Sequence, residues 1–153
     1  MQLQYIVNNG DTITLPLHGI VNVLVDWGEV PTSTNTYTTA DNYNHTYITG
    51  GTYTVTITGT LDQFGNGQDG YSNSEKLISV LSFTGIGLKS LYGAFKGATN
   101  LISVPATLPS TVTDLRYAFY GATSFNDINI VSWDVTNVTD ISYMFFLADS
   151  FNQ

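Results

Sequence analysis

The chain has no cysteine among its 153 residues. Disulfides, thiolate nucleophiles and thiolate metal sites are excluded together. The compartment stays open, because exported repeat proteins also do without cysteine. Positive charge is almost as scarce. Lys76, Lys89, Lys96 and Arg116 stand against twelve Asp and Glu, giving a net charge of -8. Four cations cannot build a basic stripe, so no nucleic-acid partner is expected. An anionic membrane surface is disfavoured for the same reason. No uninterrupted apolar run approaches the roughly 18 residues of a membrane span, so no membrane insertion is expected. The start, "MQLQYIVNNGDT", has neither a basic head nor a long hydrophobic stretch, so no signal peptide is expected. That fits a mature fragment with a new start, or release without a signal, as for a virion protein freed by lysis.

The polarity that is present comes from Thr, Asn, Ser, Gly and Tyr, with charged residues at only 10%. This palette suits strands, turns and wet recognition surfaces. In the first half, "LQYIV" (3–7) and "TITLPL" (12–17) flank the turn signal "NNGD". "VNVLVDW" (21–27) sets Val21, Val23, Val25 and Trp27 on one face. The stretch 28–44 is polar, a loop with room for a short edge strand. "TYTVTITGTL" (52–61) alternates Tyr53, Val55 and Ile57 against Thr54, Thr56 and Thr58. Short alternating strands with turn punctuation predict a small antiparallel β-sandwich over 1–62. Residues 63–84 read as a Gly-rich linker with one short helix, started by the capping-box spacing of Ser72 and Glu75.

From about residue 85 the pattern changes. Leu88, Leu91, Ala94, Phe95, Ala98 and Leu101 recur as Val112, Leu115, Ala118, Phe119, Ala122 and Phe125. They recur again as Val138, Ile141, Met144, Phe145, Ala148 and Phe151. These define copy 1 (87–103), copy 2 (111–127) and copy 3 (137–153). The apolar spacing within each copy predicts a short helical segment, with extended chain between copies. Such a period predicts a leucine-rich-repeat solenoid over 85–153, of about three copies. The expected fold class is therefore mixed and β-rich, a small sandwich followed by a short solenoid.

Two resemblances rest on these phrases. "SWDVTNVTDISYMFFLADSFNQ" (132–153) and "LPSTVTDLRYAFYGATSFN" (108–126) resemble the unit of the BspA-like leucine-rich repeat surface proteins. The resemblance implies repeat-core or turn positions for Trp133, Asp134, Val135, Asn137, Val138, Met144 and Phe145. "VDWGE" (25–29), "NHTY" (44–47) and "GTYTVTITG" (51–59) are similar, in that order, to the polycystic-kidney-disease (PKD) type of immunoglobulin-like sandwich. In this chain Asp26 precedes Trp27, and Glu29-Val30 replaces that family's Asp-Gly turn. Both resemblances imply non-catalytic, surface-displayed modules used in adhesion or assembly.

Chemistry-bearing constellations are sparse. His45 could serve as a base or ligand, but with no second His, Cys or Ser motif beside it, an imidazole bonded to the "DWGE" turn is the favoured reading. His18 reads as solvated. Asp26, Glu29 and Asp41 could form an acid/base pair, yet Asp in such phrases usually builds turns. "GNGQDG" (65–70), with Asp62, Asn66 and Asp69, looks faintly like a calcium loop. It lacks the alternating carboxylates and the terminal bidentate Glu of that motif, and a linker is favoured. No catalytic, metal or cofactor site is expected, and no enzymatic activity.

The aromatics off the core stripe are the candidate binding face: Tyr92, Tyr117, Tyr120, Tyr143 and Phe146. Tyr117 matches Tyr143, and Tyr120 matches Phe146, so stacked copies would align them in ladders. Tyrosine gives large contact area at low entropic cost. Phe145, Leu147 and Phe151 are the candidate assembly end, because a repeat buries its apolar face only under a neighbour or cap. The expected function is non-enzymatic recognition of a protein or glycan at a cell surface or outside the cell. The alternative is a virion structural component that self-assembles, or docks on a virion partner, through its repeat end.

Overall fold

A computed structural model describes all residues from Met1 to Gln153. It holds six strands: β1 (Gln2–Val7), β2 (Thr12–Asp26), β3 (Thr34–Tyr37), β4 (Asp41–Thr46), β5 (Gly51–Phe64) and β6 (Leu77–Ser82). The β-rich expectation holds. All pairings are antiparallel, and the strands join as one open sheet in the order β3-β2-β5-β1-β6, with β4 also on β2.

The stretches "TITLPL" and "VNVLVDW" form one strand, β2, rather than two. A register shift between His18 and Val21, at left-handed Gly19, lets its two ends take different partners. Thr12–Leu17 pairs with β4, and Val23–Asp26 pairs with β3. Ile13 through Leu17 are all buried, so both faces of this first half are covered. The "NNGD" turn forms, with the Asn8 N–H donating to Asp11 Oδ2 at 2.8 Å. The strands it joins do not pair with each other, because β5 lies between them. On β5, Val55 and Ile57 are fully buried and Tyr53 half-buried, as alternation predicts.

Residues 63–84, expected as a linker with one short helix, hold two 3-10 turns, Gly67–Asp69 and Ser74–Lys76, and then strand β6 on β1. Ser72 does not cap the second turn. Asn73 precedes it in left-handed conformation, and no side chain caps it.

The expected helical segments of the copies are chains of three-residue turns instead. In copy 1 the Ala94, Lys96, Ala98 and Leu101 N–H groups donate to the carbonyls three residues earlier. Glycines at φ +68° (Gly93) and +73° (Gly97) break any α-helix there. Each copy is locked to the next through alternate backbone groups. Leu91, Gly93, Phe95 and Gly97 donate to the carbonyls of Asp114, Arg116, Ala118 and Tyr120, at 2.8–2.9 Å. Leu115, Tyr117, Phe119 and Gly121 donate likewise to Asp140, Ser142, Met144 and Phe146, at 2.8–3.0 Å. Bonds also run the other way, from Thr113 to Lys89, from Thr139 to Thr113 and from Ser150 to Thr123.

Side chains repeat this order. Phe95, Phe119 and Phe145 form a spine with ring centres 5.2 and 5.4 Å apart. Phe64 of β5 meets Phe95 at 6.3 Å, so the sheet continues the spine. One connected cluster of buried apolar side chains runs from Met1 through the sheet to Met144. The sheet covers the inner side of copy 1 closely. The Phe64 and Gly67 N–H groups donate to the Ser90 and Tyr92 carbonyls. A Cβ on Gly93 would lie 2.1 Å from the Gly67 carbonyl oxygen. No helix is long and apolar enough to cross a membrane.

Candidate functional site

The candidate aromatic residues come together on one side of the stacked copies. Tyr117 stacks on Tyr143 with centroids 4.9 Å apart, and Tyr92 lies 6.0 Å from Tyr117. The second rail runs from Tyr120 to Phe146 at 5.3 Å. Tyr117 and Tyr120 stack at 5.5 Å and tie the rails together. Exposure grows outward: Tyr92, Tyr117 and Tyr120 are half-buried, while Tyr143 and Phe146 are 57% and 51% exposed. The hydroxyls of Tyr92, Tyr117, Tyr120 and Tyr143 have no bonding partner within the chain. Desolvation, with the neighbouring Tyr143, Tyr92 and Tyr120 hydroxyls, pushes the Tyr117 phenol above its ordinary value, so it stays a neutral donor.

Three features of this face escaped the sequence reading. Tyr117 and Tyr143 are in left-handed conformation (φ +54° and +58°), at the position Gly93 holds in copy 1. Lys96 occupies the position of Tyr120 and Phe146 in the second rail, and its ammonium sits 4.5 Å from the Tyr120 centroid. Arg116, in the position of Tyr92, lies over the Tyr92 ring at 4.1 Å. The repeat register itself held the signal, since aligning the copies puts Gly93 with Tyr117 and Lys96 with Tyr120.

A polar column flanks the rings. Ser90, Asp114 and Asp140 are equivalent and bridge in parallel from copy to copy. Each side chain accepts from the backbone N–H two residues on, at Tyr92, Arg116 and Ser142. Arg116 makes a forked pair with Asp114 (2.7 and 3.0 Å) and lies 3.7 Å from Asp140. It thereby offsets repulsion between the two stacked carboxylates. The pair holds the guanidinium pKa above its ordinary value.

The candidate assembly end divides. Phe145 and Phe151 stack at 3.8 Å and are half-buried against the core, whereas Leu147 is exposed in left-handed conformation. Phe145, Ile141, Met144, Trp133 and Val135 line an apolar hollow of about 320 Å³ on the outer side of copy 3. Trp133 is buried, and its indole N–H donates to the Pro105 carbonyl.

The other singled-out residues are dispersed. His45 bonds the turn it was matched to, with Nε2 3.1 Å from Glu29 Oε2 and its ring stacked on Trp27 at 4.4 Å. His18 is 3.2 Å from Asn42 Oδ1, part-buried rather than freely solvated. Asp26 accepts from Gly28, and Asp41 from Asn42. Asp62 pairs with Lys89 at 3.0 Å, and Asn66 donates to the Gly70 carbonyl. No three His, Asp or Glu side chains converge as a metal would require.

Residues 89–153 are similar to the family described as Mycoplasma protein of unknown function, DUF285. That match covers the stacked copies from Lys89 onward and none of the sheet. No curated protein and no solved structure matches the chain.

Proposed function

We propose that the protein is a non-enzymatic recognition module, displayed at a cell surface or outside the cell, that binds a protein or glycan through the aromatic face of its repeats. The observation that carries this reading is the paired ladder Tyr117–Tyr143 and Tyr120–Phe146, with its free hydroxyls, with Lys96 set over Tyr120 and with Arg116 over the adjoining Tyr92. Pre-stacked rings lose little freedom on binding, and phenol edges offer hydrogen bonds beside apolar area. The finer fold proposed with it is a PKD-like sandwich followed by a BspA-like leucine-rich solenoid. The double-sided burial of the first half of β2 and the copy-to-copy parallel bridges support that description.

The test is a glycan array and a panel of purified host surface proteins, probed with the chain and with a Tyr143→Ser/Phe146→Ser variant. The reading expects a hit that the variant loses while its unfolding midpoint stays close to that of the parent. A hit retained in full by the variant sinks the ladder as the binding face.

A second reading, a virion component that assembles through the repeat end, is favoured by one observation. Ile141 and Leu147 are 60% and 53% exposed on the outer side of copy 3. Light scattering across a concentration series separates the two: a fixed oligomer favours assembly, and a monomer of 16.7 kDa favours the binder.

A further inference from the structure

The outer side of copy 3 carries a row of backbone groups with a defined polarity. Ile141, Tyr143, Phe145 and Leu147 are equivalent to Leu115, Tyr117, Phe119 and Gly121, whose N–H groups all donate to the following copy. In copy 3 these four N–H groups have no acceptor in the chain, and the Thr139 carbonyl receives no bond. The side chains tell the same story. Leu91 and Leu115 are fully buried under the next copy, whereas the equivalent Ile141 is 60% exposed. The apolar hollow beside them, about 320 Å³, lies where the next copy's core residues would seat.

This pattern restricts what fits. Two chains meeting symmetrically at this side would set donors against donors, and unpaired amides at a buried contact are costly. A head-to-tail contact with the start of another chain's array is blocked as well. The inner side of copy 1 is already used, with the Ser90 and Tyr92 carbonyls bonded by Phe64 and Gly67 and Gly93 closed against Gly67.

We infer that this side takes up one further copy of the same repeat, a peptide segment running parallel to 139–147. It presents four alternate carbonyls to the amides of Ile141, Tyr143, Phe145 and Leu147 and an N–H to Thr139. Its apolar residues fill the hollow by Met144 and Trp133. Aromatic residues at its positions equivalent to Tyr143 and Phe146 lengthen both ladders, so the docked segment also enlarges the aromatic face. The interaction is strand-like addition, with main-chain bonds setting register and side chains setting choice. The inference stands independently of whether the ladders bind a ligand.

The experiment is residue-resolved amide exchange on the full chain. One sample receives a peptide reproducing residues 132–153. In a second, residues 128–153 are repeated after Gln153, which keeps the 26-residue offset between copies and removes peptide concentration from the question. Exchange at Ile141, Tyr143, Phe145 and Leu147 is expected to slow by about ten-fold or more, with Leu91 to Gly97 unchanged. A fused chain whose four amides exchange as in the parent overturns the inference. So does a parent chain that dimerises symmetrically with those amides protected.

Discussion

Tyr143 lies on Tyr117 with ring centres 4.9 Å apart, and both residues hold left-handed backbone conformations that Gly93 adopts in copy 1. A side chain at such a position costs about 1 kcal/mol in backbone conformation. Stacking of an aromatic pair returns about the same. Tyr117→Ala keeps the conformational cost and loses the rings, so it should destabilise by about 1–2 kcal/mol. Tyr117→Gly removes both, and its stability should fall within about 1 kcal/mol of the parent. Urea unfolding of the three chains checks this. Equal losses for Ala and Gly would mean the backbone carries no such cost.

Gly93 and Gly121 occupy columns of the repeat on either side of the phenylalanine spine, with the same φ of +68°, yet their surroundings differ. At Gly93 an added Cβ meets the Gly67 oxygen at 2.1 Å, a backbone atom that cannot swing away. At Gly121 the nearest atoms lie at 4.0 Å. Gly121→Ala should therefore cost only the left-handed conformation, about 1 kcal/mol. Gly93→Ala must also push the sheet off copy 1 and should cost about 3 kcal/mol or more. Comparable melting losses in both variants would mean that the sheet does not close on copy 1 at Gly93.

Strand alternation made most of the sheet legible. Val21 to Trp27 and Tyr53 to Ile57 bury the faces their spacing predicts. Strand β6 was missed because "LISVLS" follows a Gly-rich turn, buries both neighbours Ser79 and Val80, and so lacks alternation. The single sheet was not legible either. It depends on the shift at Gly19, a long-range pairing choice that no local pattern encodes. The helix expectation failed for a definite reason: successive three-residue turns give the same apolar spacing as a helix, and only the glycines at 93, 97 and 121 distinguish them. The ladders were legible because offsets of 24 and 26 residues fix which rings align. The cations over them were not, since Lys96 and Arg116 reach the rings only through stacking of adjacent copies.

Several carboxylates are held below the ordinary Asp value of 3.8. Asp11 is lowered first by the Asn8 backbone N–H and then by Lys76, whose ammonium lies 2.9 Å away. Asp134 is lowered by Thr136, and Asp140 by Ser142. A depressed folded-state value means the ionised form is favoured in the fold. The stabilisation is complete above the ordinary value and is lost as pH falls through it toward the folded value. The urea midpoint should thus be flat from about pH 5 to 7 and drop below about pH 4. Asp11→Asn should flatten part of that drop. A midpoint that rises on acidification would contradict the sign.

Tyr5 sits on β1, which lies between β5 and β6, and its hydroxyl is buried with no hydrogen-bond partner. Burial first, then the nearby Tyr71 and Tyr47 hydroxyls, pushes its pKa well above the ordinary value, so it stays protonated. An unsatisfied buried hydroxyl costs about 1–3 kcal/mol of desolvation with nothing in return. Tyr5→Phe keeps the ring and removes that cost, leaving a gap of only one oxygen atom. The variant should be as stable as the parent or more stable by about 1 kcal/mol. Calorimetric melting of the two chains decides it. A clear loss of stability in Tyr5→Phe would mean that the hydroxyl has a bonding partner in solution, such as an enclosed water.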